Sequence, residues 1–306
     1  MIIAVDAGKH STKAVCKTTR EEKYIMFRTK VEEQGVIITQ DGTTFSVEYN
    51  GQKYTIGEGA NISDYDTTKA KLCHKLTTYT AIALLLSTLG NGYENGVSVD
   101  LVTGCPISKY INKETRQEYQ NFIAGDKNIG IKINNKNYSF KINSVLVLPE
   151  SIGVVMQNAN EFLDAVIAVV DIGGLNTNSA VYSSLRPLKN TVFTINEGGE
   201  IINTKIKKAL NTALNTNYQD YEIPHLKLEG EIKHIVERIL NNQIEVIISE
   251  CKKNNWNTNA LQFMFTGGGS QILERQIRSN IPNAKISKTP VWDNVRGFLQ
   301  IKEMYS

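Results

Sequence analysis

Hydrophobic and polar positions change their spacing several times along the chain, and the changes outline a fold. Met1–Asp6 is an apolar run ending on a carboxylate. Thr12–Lys17 and Tyr24–Lys30 follow, and the three predict consecutive strands. Val36–Thr39, Thr43–Tyr49 and Lys53–Ile56 alternate or are β-rich. Asp41-Gly42 and Asn50-Gly51 punctuate them, dipeptides that supply a positive φ at low cost. This predicts a small β-meander inserted into a first domain. Leu72–Leu89 predicts a helix ended by Gly90. Val97–Thr103 reads as a strand, and Ser108 as the cap of a helix running to about Ala124. Asn128–Ile133 and Tyr138–Leu148 read as a hairpin across Asn134-Asn135. Pro149-Glu150-Ser151 is expected to open a helix to about Asn160, since proline is tolerated in a first turn.

The strand pattern then starts again. Val166–Asp171, Ser179–Tyr182 and Thr191–Ile195 predict three strands arranged as at the N-terminus, and Glu197-Gly198-Gly199 leads into a helix over Glu200–Leu214. Leu228–Asn254 carries apolar residues at 232, 235, 236, 239, 240, 244, 247 and 248, the stripe of a helix facing a core. Leu261–Phe265 is a strand, Thr266–Gly269 a turn, Ser270–Ile281 a helix and Asp293–Met304 a final helix able to return to the first domain. The expected division is domain I over 1–155 plus 290–306, with its β-rich insertion at about 31–70. Domain II takes 156–289, with a helical insertion at about 200–256.

The chain's 306 residues suit two domains of roughly 150 each. Its 34 basic and 31 acidic residues leave a formal net charge of +3, which implies no wholesale affinity for nucleic acid or membrane. Cys16, Cys73, Cys105 and Cys251 form no C-x-x-C pair. That argues against a zinc site or disulfide framework and fits a reducing cytoplasm. No signal peptide is expected, because acid and lysine follow the first strand at once. Ala81–Leu89, the most apolar helical run, is about half the length a membrane span needs.

Two stretches carry the candidate chemistry. Asp6–Lys13 reads D-A-G-K-H-S-T-K, and Asp171–Asn178 reads D-I-G-G-L-N-T-N. In both, a buried strand ends on Asp, Gly stands two residues on and Thr six on. Such a loop between antiparallel strands aims backbone N–H groups outward as an anion nest. In the first, Gly8 lets a ligand approach the backbone, Lys9 and Lys13 add charge, and Ser11 and Thr12 add hydroxyl donors. In the second, Gly173, Gly174, Asn176 and Thr177 are the counterparts. Asp6 and Asp171 would be repelled by phosphate unless a cation intervened, and Mg²⁺ held through water is the natural solution. Gly267, Gly268 and Gly269, with Gln271 beyond them, form a third glycine turn suited to a ribose and base near a helix N-terminus. Glu200, Asn203 and Lys207 share one face of their helix. Glu150 follows a strand end, and a carboxylate there can orient water for in-line attack on a phosphate.

With these motifs in this order, the chain resembles the actin, heat-shock-chaperone and sugar-kinase superfamily. Its phosphate loops look like Asp6–Lys13 and Asp171–Asn178, its connecting helices like Leu148–Met156 and Asp293–Ile301, and its adenosine motif like Phe265–Leu273. Tyr54–Ala60 (Y-T-I-G-E-G-A) and Thr103–Ser108 (T-G-C-P-I-S) look most like bacterial actin-like proteins of the ParM, plasmid-segregation type. The resemblance implies an α/β, actin-like fold: two related domains with duplicated ribonuclease-H-like cores, a nucleotide cleft between them and a small β-rich insertion. It implies ATP, with GTP as the alternative, and Mg²⁺. Glu150 and Asp171 would be the catalytic acids, and Asp6 and Asp171 would lie on the metal side. His10 departs from the small residues usual in the first loop.

The implied function is a cytoplasmic, Mg²⁺-dependent ATPase that assembles with itself into filaments and segregates plasmid DNA. It would act through a plasmid-bound DNA-binding adaptor, touching neither nucleic acid nor membrane directly. A small-molecule kinase and a non-polymerising nucleotide switch on the same fold remain alternatives.

Overall fold

The computed structural model describes all residues except 20, 35–41, 61–69, 91, 126 and 305–306. The chain forms two compact units, Met1–Gln157 with Asn294–Ser306, and Asn158–Asp293.

The first unit opens with β1 (Ile2–Ala7), β2 (Ser11–Lys17), β3 (Glu22–Arg28), β4 (Val31–Glu33), β5 (Thr44–Tyr49) and β6 (Gln52–Gly57). Then come α1 (Ala70–Thr88), β7 (Asn95–Cys105), α2 (Ile107–Tyr110), α3 (Lys113–Ala124), β8 (Asn128–Ile133), β9 (Lys136–Pro149) and α4 (Ile152–Gln157). Its sheet has the order β3-β2-β1-β7-β9-β8-β5-β6-β4. β1 is antiparallel to β2 and parallel to β7, and β7 is parallel to β9. The β-rich insertion continues this sheet, because β8 pairs with both β9 and β5. The β5–β6 and β8–β9 hairpins turn at Asn50-Gly51 and Asn134-Asn135, all four at positive φ, as type I′ geometry requires. Ile3 and Val5 of β1 share a core with Leu76, Tyr79, Ile82 and Leu86 of α1. The buried Tyr79 hydroxyl donates to the Ile123 carbonyl at 2.8 Å.

The second unit holds α5 (Ala159–Phe162), β10 (Val166–Ile172), β11 (Thr177–Ser183), β12 (Arg186–Pro187), β13 (Phe193–Ile195), α6 (Gly199–Leu214), α7 (Gly230–Lys253), β14 (Gln262–Thr266), α8 (Gly268–Ile272), α9 (Glu274–Asn280) and β15 (Ala284–Ile286). α10 (Asp293–Met304) completes the chain. The sheet order β12-β11-β10-β14-β15 repeats that of the first five strands of the other unit: an antiparallel hairpin, then two strands parallel to its first member. The fold is thus the expected duplicated α/β architecture. The α7 stripe faces the core: Ile235, Val236, Ile244 and Ile247 are buried in it, and Ile232, Ile239, Leu240 and Ile248 pack at its edge. No helix among the described residues is long and apolar enough to cross a membrane.

Three local expectations need correction. The helix read from Ser108 to Ala124 breaks in two, because the Asn112 side chain accepts from the Thr115 N–H and starts α3 afresh. Pro149 ends β9 instead of opening a helix, and α4 begins only at Ile152. Thr266–Gly269 is only half turn, since α8 starts at Gly268. Val36–Thr39 and Asp41 lie outside the described residues.

Candidate functional site

In the first loop, Asp6 pairs with Lys13 and Ala7 with Thr12 across the β1–β2 hairpin, so the tip is Gly8, Lys9 and His10. A Cβ on Gly8 would lie 3.0 Å from the Ser11 carbonyl oxygen, which explains glycine where the chain folds back on itself. Asp6 is buried, and Lys13 Nζ stands 3.4 Å from its Oδ2. The carboxylate and the ammonium therefore meet at the foot of the loop. The Thr12 hydroxyl is buried 3.0 Å from that of Thr29 on the neighbouring segment. Lys9 at the tip and Lys109 of α2 both act on His74. Burial first, then these two cations, push its imidazole down to about 4.

The second loop repeats this geometry residue for residue. Asp171 pairs with Asn178 and Ile172 with Thr177. A Cβ on Gly173 would lie 3.0 Å from the Asn176 carbonyl oxygen, to which the Gly173 N–H donates at 2.9 Å. The buried Thr177 hydroxyl donates to the Glu197 carbonyl at 2.5 Å, and Thr194 donates to Asn178 Oδ1 at 2.9 Å. In this unit the second loop, the Gly198-Gly199 pair and the Gly267–Gly269 turn converge. The N–H groups of Gly199 and Glu200, at the start of α6, donate to the carbonyls of Gly173 and Gly174 at 2.9 and 2.8 Å. A Cβ on Gly198 would lie 2.5 Å from the Gly174 carbonyl. Gly267 has φ +78, and its Cβ would lie 2.3 Å from the Ile172 carbonyl oxygen and 2.4 Å from Asp171 Oδ1. Gly269 approaches Ile172 as closely.

Glu150 sits where β9 ends. Its N–H donates to the Cys105 carbonyl at 2.8 Å, and its Cγ would lie 3.5 Å from a Cβ on Gly104. Ser151 after it is fully buried at φ +80, and its N–H donates to Asn294 Oδ1 at 3.1 Å. A non-glycine residue in that region is strained, so Asn294 holds a turn that the local sequence disfavours. Burial, with the Glu150 charge as the next contribution, pushes the Cys105 thiol up to about 12.

The remaining candidates are less concentrated. Glu200, Asn203 and Lys207 share the half-buried face of α6, and Lys207 pairs with Asp220 at 2.7 Å. Gln271 is exposed on α8, and a Cβ on Gly268 would meet Val291 Cγ2 at an ordinary 3.9 Å. Several residues of this constellation were not singled out in the sequence. Gly198 and Gly199 read only as a lead into a helix, although a glycine pair before a helix was a usable signal. Asn294 and Asp293 carried none. Asp293 is buried and accepts from the Thr266 hydroxyl at 2.5 Å, fixing the start of the third glycine turn.

A phosphate group fits both nests, since each presents a bare glycine backbone beside one buried carboxylate, and the first adds the Ser11 hydroxyl. A protein-only metal cage does not fit: among the described residues no group of three or more His, Cys, Asp or Glu could hold an ion. One carboxylate per loop, completed by water and phosphate oxygens, is instead the coordination magnesium favours.

Residues 4–153 match the family described as actin-like proteins N-terminal domain. Curated protein sequences give no match. Among solved structures, the Alp12 filament structure is 26% identical, with a TM-score of 0.71, over 100% of this chain and 99% of that one. An archaeal actin homolog, Ta0583, solved in complex with ADP, is 15% identical with a TM-score of 0.76 over 99% of each chain. The subunit of a 15-stranded ParM filament from Clostridium botulinum is 18% identical with a TM-score of 0.73, again over 99% of each. Residues 4–153 are thus similar to the N-terminal domain of actin-like proteins, and the chain has the actin-like fold.

Proposed function

We propose that the protein is a Mg²⁺-dependent ATPase that assembles with itself into filaments and segregates plasmid DNA, hydrolysis controlling filament stability. The observation that carries this reading is the 26% identity, along the whole chain, to a protein solved as a filament. The plasmid role rests on the resemblance to ParM-type proteins in Tyr54–Ala60 and Thr103–Ser108. DNA is then reached through a DNA-bound adaptor, the net charge of +3 offering no broad basic surface. The cytoplasm is the compartment this role requires.

Backbone N–H groups at the two loop tips, within Gly8–Ser11 and Gly174–Asn176, are the phosphate-binding elements, and Lys13 supplies positive charge. Asp6 and Asp171 would hold Mg²⁺ through its waters, accepting hydrogen bonds at their carboxylate oxygens, and the ion would supply neutralisation of the phosphate charge. A Glu150 carboxylate oxygen accepts a hydrogen bond from the attacking water and so turns the water's lone pair toward the γ-phosphate, positioning carrying most of the rate. The turn at Ser151 that directly follows Glu150 is held by Asn294. ATP is the proposed nucleotide, supported by the ADP-bound structure of a protein of the same fold, with GTP as the alternative.

Negative-stain electron microscopy with and without ATP and Mg²⁺ tests the proposal. Filaments that need both are expected. Monomers under every nucleotide, across a range of protein and salt concentrations, would refute it.

A further inference from the structure

We infer that His10 is a positioning residue that fixes the Ser11 hydroxyl as a hydrogen-bond donor for a phosphate oxygen, and that Arg28 and Glu58 hold it in the tautomer this requires. The inference rests on the proposed binding of nucleotide phosphate by the first loop.

The argument begins at the ring. The Arg28 guanidinium meets His10 Nε2, and His10 Nδ1 lies 2.6 Å from Ser11 Oγ. A guanidinium has only donors and stays protonated in proteins, so Nε2 has to accept. An imidazole that accepts at Nε2 is neutral and carries its hydrogen on Nδ1. That hydrogen is donated to Ser11 Oγ, and the hydroxyl's own hydrogen is directed away from His10. A free serine hydroxyl can turn either lone pair or hydrogen toward an anion. Here one of those choices is removed before the anion arrives, which is the pre-organisation a phosphate site needs.

The relay extends into the β-rich insertion. Arg28 Nε stands 3.8 Å from Glu58 Oε1. Glu58 lies in the turn after β6, where its N–H donates to the Thr43 carbonyl and that of Gly59 to the Thr44 hydroxyl at 2.9 Å. This is the Y-T-I-G-E-G-A segment, to which the phosphate chemistry assigns no other part. Glu58, Arg28, His10 and Ser11 thus form a chain of contacts from the insertion to the loop tip, an ion pair without a hydrogen bond at its outer end and hydrogen bonds at His10. The backbone holds the loop independently of the ring: Ser11 and Arg28 are cross-strand neighbours, and the Thr29 N–H donates to the His10 carbonyl at 3.0 Å. Changing the imidazole therefore leaves the path of the loop in place.

Two measurements test the relay on the full chain. The first is the ring ¹⁵N spectrum of the nucleotide-free protein near pH 7.5. The chain has four histidines, and His10→Asn identifies the signal of interest. A bare Nε2 and a protonated Nδ1 are expected. Protonation at Nε2 would overturn the inference, whether or not ATP binds. The second is a double-mutant cycle on the affinity for ATP with Mg²⁺. His10→Phe and Ser11→Ala should each weaken binding about tenfold, the effect of losing one hydrogen bond to a charged group. The double variant should be no worse than either, and His10→Asn, which keeps a donor at the δ position, should recover most of the loss. Additive losses would refute action through Ser11. If the wild-type protein binds no nucleotide, the proposed function falls, while the ring spectrum still decides the tautomer.

Discussion

Gly267→Ala isolates the contact that joins the third glycine turn to Asp171. At φ +78 and ψ 156 the backbone is in a region essentially reserved for glycine, so a side chain carries a penalty of roughly 1–3 kcal/mol. The new Cβ would also stand 2.3 Å from the Ile172 carbonyl oxygen and 2.4 Å from Asp171 Oδ1. A carbon–oxygen contact is comfortable at about 3.3 Å, so each neighbour has to retreat by about 1 Å. Overpacking of that kind costs about 1–3 kcal/mol, giving a total of roughly 2–6 kcal/mol. Gly230→Ala is the control in the same unit: φ is +50 and nothing lies within 4 Å, so only the backbone penalty of about 1 kcal/mol applies. Both tryptophans, Trp256 and Trp292, lie in this unit, so urea unfolding followed by tryptophan fluorescence reports it directly. The midpoint should fall clearly further for Gly267→Ala than for Gly230→Ala, and the displaced Asp171 should weaken Mg²⁺-dependent nucleotide binding. Equal midpoints for the two variants would refute the contact.

Further predictions cover catalysis, pH and the backbone. Glu150→Gln should slow phosphate release by about 10²-fold while leaving ATP affinity within a few-fold, measured by single-turnover release and equilibrium binding; unchanged release would remove Glu150 from catalysis. His74 has its pKa lowered to about 4, so stability is complete above the unfolded value near 6.5 and falls as pH drops from there toward 4. About 3 kcal/mol is the upper bound, because the residue is only partly buried, and urea midpoints against pH should flatten in His74→Gln. Ser184 and Leu185 both adopt positive φ in the β11–β12 turn, so Ser184→Asn with Leu185→Gly should raise the urea midpoint by the equivalent of about 1 kcal/mol. No gain there would mean that Leu185 contributes more by packing than it loses in backbone strain.

Much of this was legible in the sequence because it depends on local pattern. Short apolar runs placed β1, β2, β10 and β11, and the matched spacing of Asp, Gly and Thr in the two loops reflects one shared hairpin register, Asp6 to Lys13 and Asp171 to Asn178. What escaped depends on distant partners. Ser151 takes φ +80 because of Asn294, 143 residues away. Gly198 matters because the Gly174 backbone presses on it. The role of His10 follows from the β2–β3 register, which puts Arg28 opposite Ser11. The break before α3 was legible in principle, but Ser108 offered an earlier cap than Asn112 and only the structure chooses between them.

The most direct test of the central claim records light scattering and phosphate release together after ATP and Mg²⁺ are added to the purified protein. Scattering should rise first, phosphate release should lag behind it, and scattering should decay as release proceeds; Glu150→Gln should hold the scattering high. Phosphate release with no rise in scattering at any protein concentration would contradict the account, leaving a nucleotide hydrolase that does not assemble.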